Sequence, residues 1–211
     1  MNRARAPEAH RVILVRHARS LVEPARHPRE WGMTEEGEGA ARRLAALALF
    51  EHASGFYAGP EPKMVATLAP VATDHGHEVQ TAAAFAETES GAWIGEAEFY
   101  ATVERFLTAP DAPPAPGWEP ARVATARFAV GVERLRAAHP PVLQPGHALP
   151  GTFVIASGGR MLTAYLAQLL GLPPETMFPA WQALRMPDLA VVELTPTAPA
   201  RLVIPFGTLV V

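Results

Sequence analysis

The chain has 211 residues, 49% of them apolar and 18% charged, a composition that buries a sizeable core and excludes a disordered chain. Eighteen Lys and Arg against 21 Asp and Glu leave a formal charge of −3, so no basic excess exists for holding a nucleic-acid backbone. Cysteine is absent, which removes disulfide scaffolds, zinc–thiolate sites and thiol nucleophiles together, and Lys63 is the only lysine, which leaves almost no room for Schiff-base or Walker-type chemistry.

Residues 1–11 mix Arg3, Arg5, Glu8 and His10 with no apolar stretch behind them, which reads as a frayed tail and not a secretion signal. No run approaches the roughly 18 apolar residues of a spanning helix, so no membrane partner is expected and a cytoplasmic location is the default. Val12-Ile-Leu-Val15 is apolar and rich in β-branched residues, the pattern of a strand buried on both faces. It stops at Arg16-His17-Ala18-Arg19. Thr34 followed by Glu35 and Glu36 supplies a cap and negative charge for a helix continuing toward Phe50. A second strand is expected over 68–73, though Pro70 weakens it, and an alanine-rich helix over 78–87. Residues 152–156 form a third buried strand before Ser157-Gly158-Gly159, followed by a helix from Arg160 to Leu170 that Gly171 and Pro173-Pro174 stop. Closing strands are expected at 189–194 and 202–204.

This alternation predicts a three-layer α/β/α fold with a mostly parallel sheet and helices on both faces, all within one domain over 1–211. Two Pro-rich or Gly-rich segments interrupt it, at 108–120 and 139–151. The first, with five prolines around Trp118, is either a specificity loop roofing the site or a stiff surface connection. Trp31 is a second aromatic candidate for the mouth.

Three constellations can carry chemistry. Arg16 offers a planar fork of donors for phosphate or carboxylate, and His17 beside it serves as base, acid or nucleophile, or simply ends a strand. Gly158 and Gly159 between strand and helix form an anion hole at a helix N-terminus, or merely permit a tight turn. Asp74-His75-Gly76-His77-Glu78 is open to three readings: metal ligation through His75 and His77, a role facing the anion, or an exposed polar turn.

Val12-Ile-Leu-Val-Arg-His-Ala18 resembles the signature of the histidine phosphatase superfamily, in its phosphoglycerate mutase-like branch. Met33-Thr-Glu-Glu-Gly37 resembles the family's next helix start. His77-Glu-Val-Gln-Thr-Ala82 is similar to the segment in which a basic residue stands four before a Thr-Ala pair. Residues 154–159 resemble the strand-His-Gly-Gly segment. The resemblance implies a phosphomonoester hydrolase working through a phosphohistidine at His17, with Arg16 gripping the phosphoryl group. It implies an acid near Glu98, with Glu96 second, and phosphate contacts from Arg16, His77, Ser157 and Gly158. The ligand is then a small phosphorylated molecule or a phosphate or sulfate anion, with no cofactor and no metal. Hydrolysis is expected over mutase activity; substrate identity and oligomeric state are not legible.

Two departures from the family pattern stand out. Ser157 occupies the place of the second histidine, and His77 that of the usual arginine. Each weakens a charged donor, and removing one such donor typically costs about 10²–10³ in rate. Arg19, Arg26, His75 and Arg160 are the available substitutes, and Arg160, opening the helix at the anion hole, is the most attractive. The alternatives are a slow enzyme, a phospholigand-binding member that has lost its chemistry, and a metal-dependent hydrolase built on His75 and His77.

Overall fold

The computed structural model describes residues 9–144 and 147–209; the expected tail thus lies outside them over residues 1–8. Among the described residues the central sheet has six strands. Four run parallel: β1 (His10–Arg16), β2 (Phe56–Ala58), β3 (Val79–Thr81) and, beyond a short hairpin of β4 (Val142–Gln144) and β5 (His147–Leu149), β6 (Gly151–Ser157). Strand β7 (Asp188–Leu194) is antiparallel to β1 and β8 (Arg201–Ile204) antiparallel to β7, giving the order β3-β2-β6-β1-β7-β8. The sheet is therefore mixed, parallel on one side and antiparallel on the other.

Strand β1 explains the layering. Its side chains alternate, so Val12 and Leu14 enter one core while Ile13 and Val15 enter the other. On the second face lie α1 (Glu35–Ala45) and α2 (Pro62–Asp74), contributing Leu44, Met64, Leu68 and Val71. On the first lie α3 (Glu96–Thr108), α4 (Ala121–Ala138), α5 (Gly159–Leu170) and α6 (Pro174–Ala183), contributing Phe106, Phe128, Met161 and Trp181. Both faces of the central strands are buried, which is why those strands read as continuous apolar runs. No helix among the described residues is long and apolar enough to cross a membrane.

Helix α1 begins where its cap stands: the Thr34 hydroxyl oxygen accepts from the Gly37 amide at 3.1 Å. Thr34→Ala is expected to lower unfolding free energy by about 1 kcal/mol in a denaturant titration. The helix ends at Ala45, with a separate 3-10 turn at Ala48–Phe50, so it is shorter than the sequence suggests.

Two other expectations are corrected. Residues 68–73 lie inside α2, not in a strand, because Met64, Leu68, Val71 and Ala72 form a helical stripe against the core. Residues 78–87 are not helical. They supply β3, paired with β2, and a 3-10 turn at Ala83–Phe85, so tertiary pairing overrides the alanines' preference. The 108–120 segment folds as turns between α3 and α4, with the Arg105 guanidinium donating to the Pro114 carbonyl.

Candidate active site

The carboxyl ends of β1, β2 and β6 meet at one edge of the sheet, where α2 and α5 begin. Arg16 stands in register with Ser157, and the His17 amide donates to the Ser157 carbonyl at 3.1 Å. A cavity of about 620 Å³ opens there, and Arg16, His17, Lys63, Glu87 and Arg160 line its inner end.

His17 is 8% exposed. Its Nδ1 lies 2.8 Å from the Ala18 carbonyl oxygen, which only accepts, so Nδ1 carries the proton and Nε2 keeps its lone pair for the cavity. Burial, with the nearby charge of Lys63, pushes the imidazole down to about 3. The ring is neutral throughout the ordinary pH range. The loop that holds it is fixed from α2: the Ala18 amide donates to the Thr67 hydroxyl oxygen at 2.8 Å, and that hydroxyl donates to the Lys63 carbonyl at 2.6 Å.

Three cations line the cavity with the His17 ring. Arg16 is anchored through Nη1, which donates to the Leu184 carbonyl at 2.7 Å. Lys63, at the start of α2, donates from Nζ to the Pro28 carbonyl at 2.6 Å. Arg160, at the start of α5, is 5% exposed and stacks over Trp118, with its guanidinium carbon 4.6 Å from the ring centroid. Its Nη1 is buried with no hydrogen-bond partner among the described residues. Burial lowers the proton affinity of all three, and the charge of Glu87 opposes that in each.

Glu87 is the buried carboxylate of the cavity wall. Its Oε1 accepts from the amides of Thr88 at 2.9 Å and Met161 at 3.1 Å, and its Oε2 lies 3.7 Å from Nε of Arg160. Burial favours its neutral form, but Arg160, the Thr88 amide and Lys63 outweigh that and hold it below the usual carboxylate range. The glycine pair makes this packing possible. A Cβ at Gly158 would overlap the Glu87 carboxylate, and one at Gly159 would lie 2.9 Å from Nε of Arg16.

Residues 12–200 match the family description histidine phosphatase superfamily (branch 1). The chain belongs to the histidine phosphatase superfamily. No curated protein matches the sequence. Among solved structures, this histidine phosphatase superfamily chain is similar to mycobacterial hydrolase 1, at 19% identity and TM-score 0.75, covering 95% of this chain and 100% of that one. A mycobacterial glucosyl-3-phosphoglycerate phosphatase is 18% identical with TM-score 0.71, covering 93% and 98% of the two chains. A phosphoserine phosphatase from Entamoeba histolytica, solved as a mutant with phosphoserine, is 18% identical with TM-score 0.68, covering 94% and 98%.

Against the superfamily pattern, the sequence expectations divide. Arg16 and His17 lie in the cavity wall. Ser157 is fully buried and its hydroxyl donates to the Phe85 carbonyl at 2.7 Å, so it is turned away from the cavity. Gly158 backs onto Glu87, and the Met161 amide at this helix start holds the protein's own carboxylate. His77 is exposed against the ring of Phe56, before β3 begins and so at the sheet edge opposite the site. The basic residue that follows β2 into the cavity wall is Lys63, which stands four before Thr67. This is the same spacing that pointed to His77 and Thr81, one strand further along the chain. Glu98 is exposed on α3 and outside the cavity wall, while Glu96 reaches the mouth. Glu87 takes the inner position, and no motif marked it because it fell within the expected alanine-rich helix. His75 packs on Phe56, and among the described residues no three His, Cys, Asp or Glu converge as metal ligands.

Proposed function

We propose that the protein hydrolyses phosphomonoesters through a phosphohistidine at His17. The observation that carries this reading is the neutral His17 ring, tied back through Nδ1, among Arg16, Lys63 and Arg160. Nε2 donates its lone pair to phosphorus, forming the N–P bond as the ester P–O bond breaks. Arg16, Lys63 and Arg160 offset the charge that spreads over the equatorial oxygens. Glu87 gives a proton to the leaving oxygen, which departs as the alcohol. In the second half, a water oxygen bonds to phosphorus while its proton passes to Glu87, and the N–P bond breaks. Inorganic phosphate leaves, and His17 is neutral again.

Glu87 is ionised in the free protein, so the first proton arrives with the substrate. A phosphate monoester has its second pKa near 6, so its monoanion carries that proton into the site (about 6). Lys63 and Arg160 fill the charge deficit expected from His77 and Ser157. The competing reading, a member that binds phospholigands without turning them over, draws on one observation. Glu87 already occupies the start of α5 and neutralises Arg160.

Rapid quenching of the reaction with p-nitrophenyl phosphate separates the two. The expected result is a phosphoryl group, labile to acid and stable to base, on the peptide containing His17. Phosphate binding without that adduct or any His17-dependent turnover decides for the binding protein.

A further inference from the structure

Beyond its phosphoryl end, the cavity is walled by aromatic rings. All four tryptophans of the chain line it, together with Phe99 and Tyr100. They come from five separate stretches of chain and converge ring on ring. Trp31 and Trp93 have centroids 5.3 Å apart, as do Trp93 and Phe99, while Phe99 lies 6.2 Å from Trp118 and 6.1 Å from Trp181. The belt begins at the cations, with Arg160 over Trp118 and Lys63 over Trp31. Core packing does not account for all of it. Trp93 and Phe99 are only half-buried, and both remain part of the cavity wall. The outer wall adds Val22, Ile94 and Met186. Among the described lining residues there is no Asp, Asn or Gln, and the polar side chains beyond the phosphoryl end are Arg19, Ser20, Ser90, Glu96 and the Tyr100 hydroxyl.

We propose that the preferred substrates are phosphomonoesters whose alcohol carries a planar aromatic ring, stacked against Trp93 and Phe99 while the phosphoryl group lies among Arg16, Lys63 and Arg160. This rests on the phosphatase reading above. The cavity volume, about 620 Å³, is that of a pocket for a whole small molecule and not for a phosphate ion alone. Aromatic faces prefer offset or edge-to-face partners, so a flat ring gains more here than an alkyl chain of equal polarity.

Benzyl phosphate and propyl phosphate test this, because their alcohols differ little in acidity and chemistry alone does not favour one. Glucose 6-phosphate serves as the sugar control. The expected result is a kcat/KM for benzyl phosphate at least about tenfold above the other two, the scale of one or two good ring contacts. Trp93→Ala is expected to remove most of that preference. Binding is measured in parallel through tryptophan fluorescence, with benzylphosphonate and propylphosphonate, which no phosphatase turns over. If both esters are hydrolysed equally and both phosphonates bind equally, the aromatic assignment is overturned and the phosphatase reading stands. If benzylphosphonate binds preferentially while neither ester turns over, the pocket assignment stands and the catalytic reading fails. A preference for glucose 6-phosphate, or no discrimination between the phosphonates, also overturns it.

Discussion

His17→Ala is expected to reduce turnover of p-nitrophenyl phosphate on the order of 10⁵–10⁶-fold, the scale on which removing a covalent nucleophile acts. The wild-type pH profile should be unlike that of a histidine with its ordinary proton affinity. Because burial and Lys63 hold the ring near 3, the nucleophile stays unprotonated down to that value. The acid limb common to histidine-dependent reactions, near 6.5, should therefore be missing. The alkaline limb belongs to the substrate and its proton: with propyl phosphate, whose alkoxide must be protonated as it leaves, kcat/KM should fall above about pH 6, as the monoanion disappears. The same burial costs stability in acid. A histidine whose folded pKa lies below its unfolded 6.5 stabilises the fold above 6.5, and that contribution is lost as pH falls toward 3. Each unit in that window removes up to roughly 1.4 kcal/mol, so the rate profile is best taken between pH 4 and 8 (a range of about four units) alongside unfolding curves. An acid limb centred near 6.5 in folded protein (about the value of an ordinary imidazole) would mean that His17 is not held neutral.

The parts of the site that were legible lie on long elements with strong local signals. Strand β1 announces itself through Val12 to Val15, and the chain's polar turn at Arg16 and His17 follows directly. Strand β6 and the start of α5 are similarly plain, since seven buried residues run into two glycines. Lys63 and Glu87 were hidden for a physical reason. Strand β2 is only three residues long, too short for any periodicity, so the basic residue that follows it lost its marker. The same spacing of basic residue and threonine occurs twice, at Lys63 and Thr67 and at His77 and Thr81, and only the second carries the Thr-Ala pair. Glu87 follows a stretch of alanines whose intrinsic preference is helical. What decides its conformation is Phe85, clamped between Tyr57 and Phe128, and such contacts are invisible along the chain. Glu98 and Glu96, the acids the resemblance points to, stand exposed on α3, whereas Glu87 is buried in the cavity wall, a difference that only tertiary packing makes. Arg160 was visible as a helix start, but its stacking on Trp118 depends on a Pro-rich turn from elsewhere in the chain.

Glu87→Gln separates proton donation from charge balance. Glutamine keeps an acceptor for the Thr88 and Met161 amides, so the local fold has a route to survive. It removes the proton donor and also the negative charge facing Arg160. Leaving a buried guanidinium without its partner costs about 3–5 kcal/mol in comparable pairs, and a denaturant titration should show a loss in that direction. The catalytic effect is expected to depend on the leaving group. Propyl phosphate, whose alkoxide must be protonated as it leaves, should lose about 10²–10⁴ in kcat, the range for a positioned general acid. p-Nitrophenyl phosphate, whose phenolate leaves without a proton, should lose far less in its first step. Release of p-nitrophenol should therefore show a burst, because the second step still lacks a base for water. If the two esters instead lose activity equally and no burst appears, Glu87 acts only by holding Arg160 in place, and the proton must come from another group at the mouth, where Glu96 is the other carboxylate among the described lining residues.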